Sequence, residues 1–481
     1  MEKNSVYTKK FALDFVENGE EALLIQKPGL LPENINYFML IKDVLVLSIP
    51  ALIELGLTQL TSMVDLMMVG KLGTWALSAV GLATHPRLLL MMTVTSLNYG
   101  TTALIARYKG AGMYERANRV MHQALRVTVL LSVVSSVIGY LFAEDMIRLM
   151  GATSKEALEG GTVYLQIQMV GFLAIGITTT VTAALRAVGD SRTAMVYNVI
   201  SNLVNILFNY LLIYGKFGFP ELGVAGASWA TVLGQCVAFL IACRVLMRKG
   251  GYLVFCFRDL LTRGNSEAGN IFRVGMPAAL EQLAMRIGMI AFSVIIATLG
   301  ETSYATHQAC MNVLTMSYMI GQAFAVSSTT MVGQSLGKVR SDMAVFYCRA
   351  SSMIGVLASG TLAFIMLCFG REIMTLYSSD PQIIDCGAYI MKVVALIQPF
   401  QGIQFILAGG LRGAGDTKST ALVSVVTIFF LRPVLAAILV FGFDMGIKGA
   451  WYAYMADQIT RSLLIYLRYM QGKWKVIRFN V

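Results

Sequence analysis

The sequence predicts an all-α polytopic membrane protein: about twelve transmembrane helices in two pseudo-symmetric six-helix lobes with a central cleft. Three observations carry this prediction. Hydrophobic residues make up 56% of the 481 and charged residues only 14%, against about 25% charged in a soluble domain. Apolar runs of the ~20 residues needed to cross ~30 Å of hydrocarbon recur about twelve times. Finally, the chain states itself twice. LRAVGD at Leu185–Asp190 returns as LRGAGD at Leu411–Asp416, and PALIE at Pro50–Glu54 as PAALE at Pro277–Glu281. ATH at Ala83–His85 returns at Ala305–His307, and GVAGA at Gly223–Ala227 as GIKGA at Gly446–Ala450. An offset near half the chain is too long for a solenoid unit of about 20–50 residues; it marks a duplicated lobe.

In order, the apolar runs cover 44–70, 76–106, 120–142, 161–187, 193–214 and 224–247, then 273–299, 304–333, 344–369, 386–411, 418–441 and 446–470. Each is expected to be a helix, because an open strand cannot satisfy its backbone in lipid. Six spans per half return the chain to its starting side, so both lobes share one orientation. The expected organisation is an N-terminal cytoplasmic segment (1–43), an N-lobe (44–247), a basic, Gly-containing linker (248–272), a C-lobe (273–470) and a cytoplasmic tail (471–481). The start is polar and mixed in charge, without the apolar core of a signal peptide.

Loop charge sets the expected orientation. Loops after even-numbered spans carry Arg107, Lys109, Arg116 and Arg119, then Arg186 and Arg192, Arg248 and Lys249, Lys338 and Arg340, and Arg412 and Lys418. Loops after odd-numbered spans carry far fewer. By the positive-inside rule the rich side, with both termini, faces the cytoplasm of a multi-pass cell-membrane protein. The net charge of +11 reflects these loops; no nucleic-acid recognition motif accompanies it, and nucleic acid is not expected as a partner. The seven cysteines show no CxxC or metal-ligand spacing, so packing is their expected role and no metal is expected.

The energy source narrows by elimination. No GxxxxGK[ST] phosphate cradle is present, nor GxSxG, HExxH or a paired-carboxylate hydrolase pattern, and an enzyme is not expected. GGLRGAG at Gly409–Gly415 lacks the strand context of a dinucleotide fold. No cofactor is expected; an ion gradient remains as driver, felt by ionisable residues in the spans, each costing about 2.5–3.5 kcal/mol at a helix centre. Asp65 lies deep in the first span, and its counterpart in the second half is Phe292, so the duplication does not carry it in both lobes. It reads either as a cation or proton acceptor or as a carboxylate held by polar neighbours. In the fifth span Asn202, Asn205 and Asn209 share a helix face, and Thr231 in the sixth adds a hydroxyl. These are hard oxygen donors suited to small hard cations, or else interhelical hydrogen-bonders.

Glu54 and Glu281 each follow a proline, Pro50 and Pro277, by four residues. A proline inside a span bends it, so a matched bent pair suits a cleft; its glutamates read equally as substrate ligands or as a symmetric structural device. Arg286 is a candidate partner for Asp65 or a glutamate. Arg432, before Pro433, is expected to meet a carboxylate. His85 and His307 read as structural hydrogen-bonders before proton relays. Arg186 with Asp190, and Arg412 with Asp416, read as helix caps and salt bridges that shape their loops.

Together the Pro…VDLMMVG first span, ATHP/ATHQ, LRAVGD/LRGAGD, YGKFGFPELGVAGASWAT and FFLRPV resemble the multidrug and toxic compound extrusion (MATE) transporters over nearly the whole chain, and the C-terminal DQITRSLLIYLRYMQGKWK is similar to bacterial members. The resemblance implies a monomer in the lipid bilayer that exports amphipathic, often cationic small molecules in exchange for Na⁺ or H⁺ by alternating access. It places Asp65 at the family's first-span carboxylate and Asn205, Asn209 and Thr231 in its N-lobe cation site. The sodium-driven members' seventh-span Glu and tenth-span Asp fall on Met285 and Gln401, so a C-lobe site of that kind is not implied; Glu281 is the candidate substitute. A lipid-linked or metabolite flippase on the same scaffold is the alternative, kept open by Arg286 and Arg432.

Overall fold

The structure is a computed structural model that describes residues 36–152, 154–248, 250–255 and 267–477. Most of the expected N-terminal segment, much of the linker and the last four residues of the tail lie outside these. Among the described residues there is no strand. The membrane helices are α1 (Tyr37–Gly70), α2 (Thr74–Gly110), α3 (Tyr114–Leu141), α4 (Lys155–Val170 with Phe172–Ala187), α5 (Ser191–Tyr214) and α6 (Gly223–Met247). The second half repeats them as α7 (Ala268–Ala297), α8 (Glu301–Gly337), α9 (Ser341–Thr375), α10 (Pro381–Gly413), α11 (Thr417–Gly442) and α12 (Gly446–Met470). Nine of these are long and apolar enough to cross a bilayer by themselves, and the two-part α4 makes a tenth. α1 and α12 have the length, 34 and 25 residues, but carry charges in mid-span. The all-helical, two-lobe expectation is met, and the count of about twelve spans is roughly consistent with these nine or ten.

One span departs from expectation. α4 bends by 53° at Gly171 without a proline. A Cβ at Gly171 would sit 2.8 Å from Val232 of α6, so the break is where α6 packs against bare backbone.

The duplicated sequences make duplicated turns. After α4, Gly189 (φ 94°) lets the Asp190 N–H return to the Leu185 carbonyl at 2.9 Å; after α10, Gly415 (φ 91°) lets Asp416 return to Leu411 at 2.8 Å. Both are Schellman closures needing glycine at the left-handed position. A second pair is unequal. After α2, Gly112 (φ 71°) occupies the left-handed position; after α8 its counterpart is Val339 (φ 59°). A β-branched residue there is strained. Val339→Gly is expected to stabilise the protein by about 1–2 kcal/mol, read as a rise in the thermal unfolding midpoint in detergent; an unchanged or lower midpoint refutes the strain.

The lobes touch at the end where even-numbered helices finish. There α2 crosses α8 so closely that a Cβ on Gly110 would meet the Gln334 carbonyl oxygen at 2.0 Å, and one on Gly337 the Arg107 carbonyl oxygen at 2.0 Å. Each glycine meets the residue three before the other, the signature of a two-fold contact within one chain. Around this crossing, Thr330 donates to the Arg186 carbonyl at 3.0 Å, Gln334 to the Ala187 carbonyl at 2.8 Å, Tyr347 to Asp43 at 2.8 Å and Ser327 to the Val44 carbonyl at 3.3 Å. Leu40 and Val44 of α1 pack with Phe324 of α8, Met343, Phe346 and Ala350 of α9 and Ile406 of α10. The lobes are therefore held together at this end.

Candidate functional site

Helices α1 and α5 run in the same direction, and their polar contacts keep one register. Asn198 donates to Glu54 (2.8 Å), Asn202 to Thr58 (3.2 Å) and Asn209 to Asp65, each pair 144 residues apart. In the C-lobe, α7 and α11 repeat the ladder at a separation of 143: Thr417 donates to the Val274 carbonyl at 2.8 Å and Ser424 to Glu281 at 3.0 Å. Of these rungs the Glu54–Asn198 one recurs, as Glu281–Ser424; Thr58 and Asn202 give way to Met285 and Ile428, and Asp65 likewise has no polar equivalent in the C-lobe. Its C-lobe counterpart, Phe292, packs on His307 and Tyr454 in an aromatic cluster.

Asp65 therefore ends a polar chain peculiar to the N-lobe. Asn209 also donates to Asn205 Oδ1 (3.2 Å), and Asn205 Nδ2 to Thr231 Oγ1 (3.1 Å). The Tyr164 hydroxyl lies near Thr231 and Gln168, and Gln168 Oε1 accepts from Arg87 at 3.2 Å. The hydrogen-bonded chain runs from the Asp65 carboxylate to Thr231, and the Arg87 guanidinium acts on that carboxylate electrostatically. Asn209 is fully buried, and its Oδ1 has no hydrogen-bond partner, an acceptor left unused beside a carboxylate. A carboxylate, an unused amide oxygen and neighbouring hydroxyls can accept a proton or wrap a small hard cation. All four residues singled out from the sequence, Asp65, Asn205, Asn209 and Thr231, stand together here; Asn202 bonds Thr58 instead. Sequence reasoning missed Tyr164, Gln168 and Arg87. The available signal was Arg87 itself, an arginine beside Pro86 within an apolar run.

The other charged residues form pairs that differ from expectation. Arg186 does not bind Asp190; its Nη2 reaches Glu54 at 2.7 Å. Arg412 does not bind Asp416; its Nη2 reaches Glu281 at 2.6 Å. Asp190 caps α5 by accepting the Thr193 N–H at 3.1 Å, and Asp416 pairs with Arg468 at 2.7 Å. Arg286, expected beside Asp65 or a glutamate, makes no ion pair within 4.0 Å among the described residues. The Pro50–Glu54 and Pro277–Glu281 helices are thus each pinned to the end of the fourth span of their own lobe. Occupied by arginine, the two glutamates fit the symmetric structural reading better than the substrate-ligand one. Removing one partner from such a buried pair costs about 3–5 kcal/mol. Glu281→Gln is accordingly expected to lower the unfolding midpoint sharply, and Glu281→Gln with Arg412→Gln to recover much of the loss; equal stability of Glu281→Gln and wild type contradicts the pairing.

Arg432 meets the expected carboxylate, supplied by Asp457 of α12 at 2.5 Å. The histidines do not share one role: His85 is exposed, whereas His307 is buried against Phe292, Tyr304 and Trp451 with no partner at Nδ1.

Two six-helix lobes sealed at one end, with a charged polar chain inside one of them, define a multi-pass membrane transporter. The MatE family model matches twice, at residues 50–211 and 277–438, and the chain belongs to that family, the MATE transporters. The probable multidrug resistance protein NorM of Thermotoga maritima is 29% identical over 90% of this chain and 93% of its own length. The multidrug resistance protein PmpM of Pseudomonas aeruginosa is 25% identical over 91% and 93%. Among solved structures, an outward-facing multidrug resistance MATE transporter superposes with a TM-score of 0.85 at 22% identity, covering 93% of this chain and all of that one.

Proposed function

We propose that the protein is a secondary antiporter that exports amphipathic, often cationic drugs or toxins in exchange for H⁺ or Na⁺ by alternating access. The observation that carries this reading is the break in the repeat. The lobes match in the turns closed by Gly189 and Gly415 and in the rungs at Glu54 and Glu281, yet among the described residues a carboxylate joined to an amide with an unused oxygen is found at Asp65 and Asn209 of the N-lobe, where the C-lobe has Phe292. A binding group in one lobe of a pseudo-symmetric pair lets an ion bias a rocking motion that the symmetry itself makes balanced. Asp65 is the coupling carboxylate in this reading, with Asn205, Asn209 and Thr231 around it. The basic loops support a cytoplasmic position for the sealed end and both termini. Relatives named as multidrug resistance proteins support the substrate class.

The test is efflux of a fluorescent lipophilic cation from proteoliposomes under an imposed pH gradient and, separately, an imposed Na⁺ gradient. Uphill movement under one of them supports the reading; none under either refutes it. The alternative, a flippase for lipid-linked or metabolite anions, draws on Arg286, mid-span in α7 without an ion-pair partner within 4.0 Å among the described residues. Selective transport of a phosphorylated or carboxylated cargo in the same vesicles is the outcome that favours it.

A further inference from the structure

Away from the N-lobe chain, a group of buried charges lies in the C-lobe where α11 and α12 meet. Asp457 accepts from Arg432 Nε at 3.0 Å and Nη2 at 2.5 Å, and from Arg461 Nη2 at 2.8 Å. All three residues are at most 4% exposed. Two guanidiniums share one carboxylate, so this core carries one positive charge without a counter-charge. The groups facing it do not supply one. Tyr454 lies under Arg432, with the guanidinium 4.2 Å from its ring centroid, and hydrogen-bonds Tyr318 of α8; Glu281 of α7 is engaged by Arg412. A buried charge of this kind is costly unless it is paired.

A second observation concerns α10, which runs parallel to α12. Tyr454 shares a core cluster with Ile397, and Ile465 shares one with Leu407 and Leu411. The two helices pack together, and these shared clusters bracket Gln458 and Arg461 on α12 and Gln401 and Gln404 on α10. Gln401 is 2% exposed and has no hydrogen-bond partner at either end of its amide. Gln398 Nε2, Arg461 Nε, Gln404 Oε1 and Gln458 Oε1 are also buried without partners. An amide can turn to present either end, so these side chains can offer N–H donors beside an uncompensated guanidinium. Buried polar groups left unpaired on two packed helices point to something bound between them.

We propose that the C-lobe holds a small monovalent anion of halide size, bound between Arg461 of α12 and the glutamines of α10, that neutralises the Arg432–Asp457–Arg461 group. The C-lobe would then fix an ion of opposite sign to the one Asp65 suits, and the assignment stands whether or not Asp65 couples transport.

The test is thermal unfolding of the full chain in detergent, with sodium gluconate replaced stepwise by sodium bromide or chloride at constant ionic strength. The wild type is expected to gain several degrees along a saturating curve. Arg461→Gln removes the surplus charge and should lose the halide response while unfolding no lower than wild type in gluconate. Gln401→Leu keeps the charge but loses an amide donor; its halide midpoint should rise about tenfold, the loss of one hydrogen bond to a charged group. A wild type indifferent to halide overturns the proposal, as does a full response in Arg461→Gln. If Arg461→Gln does not fold, an unchanged midpoint in Gln401→Leu overturns it.

Discussion

Asp65→Asn is expected to abolish uphill efflux, to the level of vesicles without protein, while the protein still inserts and still binds its substrate. The substitution keeps the size of the side chain and replaces a carboxylate oxygen with an amide N–H. Asn209 can turn its amide and present Oδ1 instead of Nδ2, so the rung between α1 and α5 survives. What is lost is the negative charge, which the matching C-lobe position, Phe292, does not carry. With no charge there, an ion has no differential affinity for the two conformations and shifts nothing. Substrate binding is measured by fluorescence polarisation of a dye substrate and transport in the same preparation. Wild-type efflux by Asp65→Asn refutes the role; loss of binding together with transport would mean that Asp65 shapes the cavity instead.

Bulk at the lobe crossing is expected to have the second large effect. Gly110→Val and Gly337→Val each place side-chain atoms where a carbonyl oxygen already stands 2.0 Å from the position of a Cβ. Backbone on the facing helix cannot swing aside as a flexible side chain would, so α2 and α8 must separate. Overpacking costs of about 1–3 kcal/mol would fall on the conformation sealed at this end and spare the one open there, shifting their ratio by roughly ten- to a hundredfold. Efflux should fall accordingly. Single cysteines placed near the crossing should become accessible to a membrane-impermeant reagent from that side. Unchanged accessibility in both variants refutes the crossing as a seal. Gly112, also a glycine near this end, has open space around its Cβ position and serves as a control for insertion, although its positive φ makes Ala the largest sensible replacement.

Much of this fold was legible because lipid leaves the backbone few options. Apolar runs gave every span, with ends a few residues short where amphipathic turns extend beyond the hydrocarbon, as in α1 and α9. The repeat gave the lobes and the pairing of their turns. The bend at Gly171 was not legible: nothing local breaks the helix, and its cause is a valine sixty-one residues on. Site partners divide along the same line. Asn205 and Asn209 were readable from helical spacing, and Thr231 as a hydroxyl in the next span. The partners of Glu54, Glu281 and Arg432 were not, because sequence proximity favoured Asp190 and Asp416 for the arginines, whereas packing between spans brought together residues 132, 131 and 25 positions apart. A charge in a span announces that a partner exists; only the packing says which one.

The central claim is that ion binding at Asp65 drives the exchange, and it is tested most directly by following both fluxes at once. Proteoliposomes loaded with a lipophilic cation are monitored for substrate exit and for inward movement of H⁺ by an internal pH dye, or of Na⁺ by a radioactive tracer. The account predicts that substrate exit from wild-type vesicles drives a matching inward ion flux, and that Asp65→Asn vesicles show no substrate-driven ion flux. Substrate-driven ion flux that persists undiminished in Asp65→Asn, or substrate exit from wild type with no ion moving the other way, contradicts it.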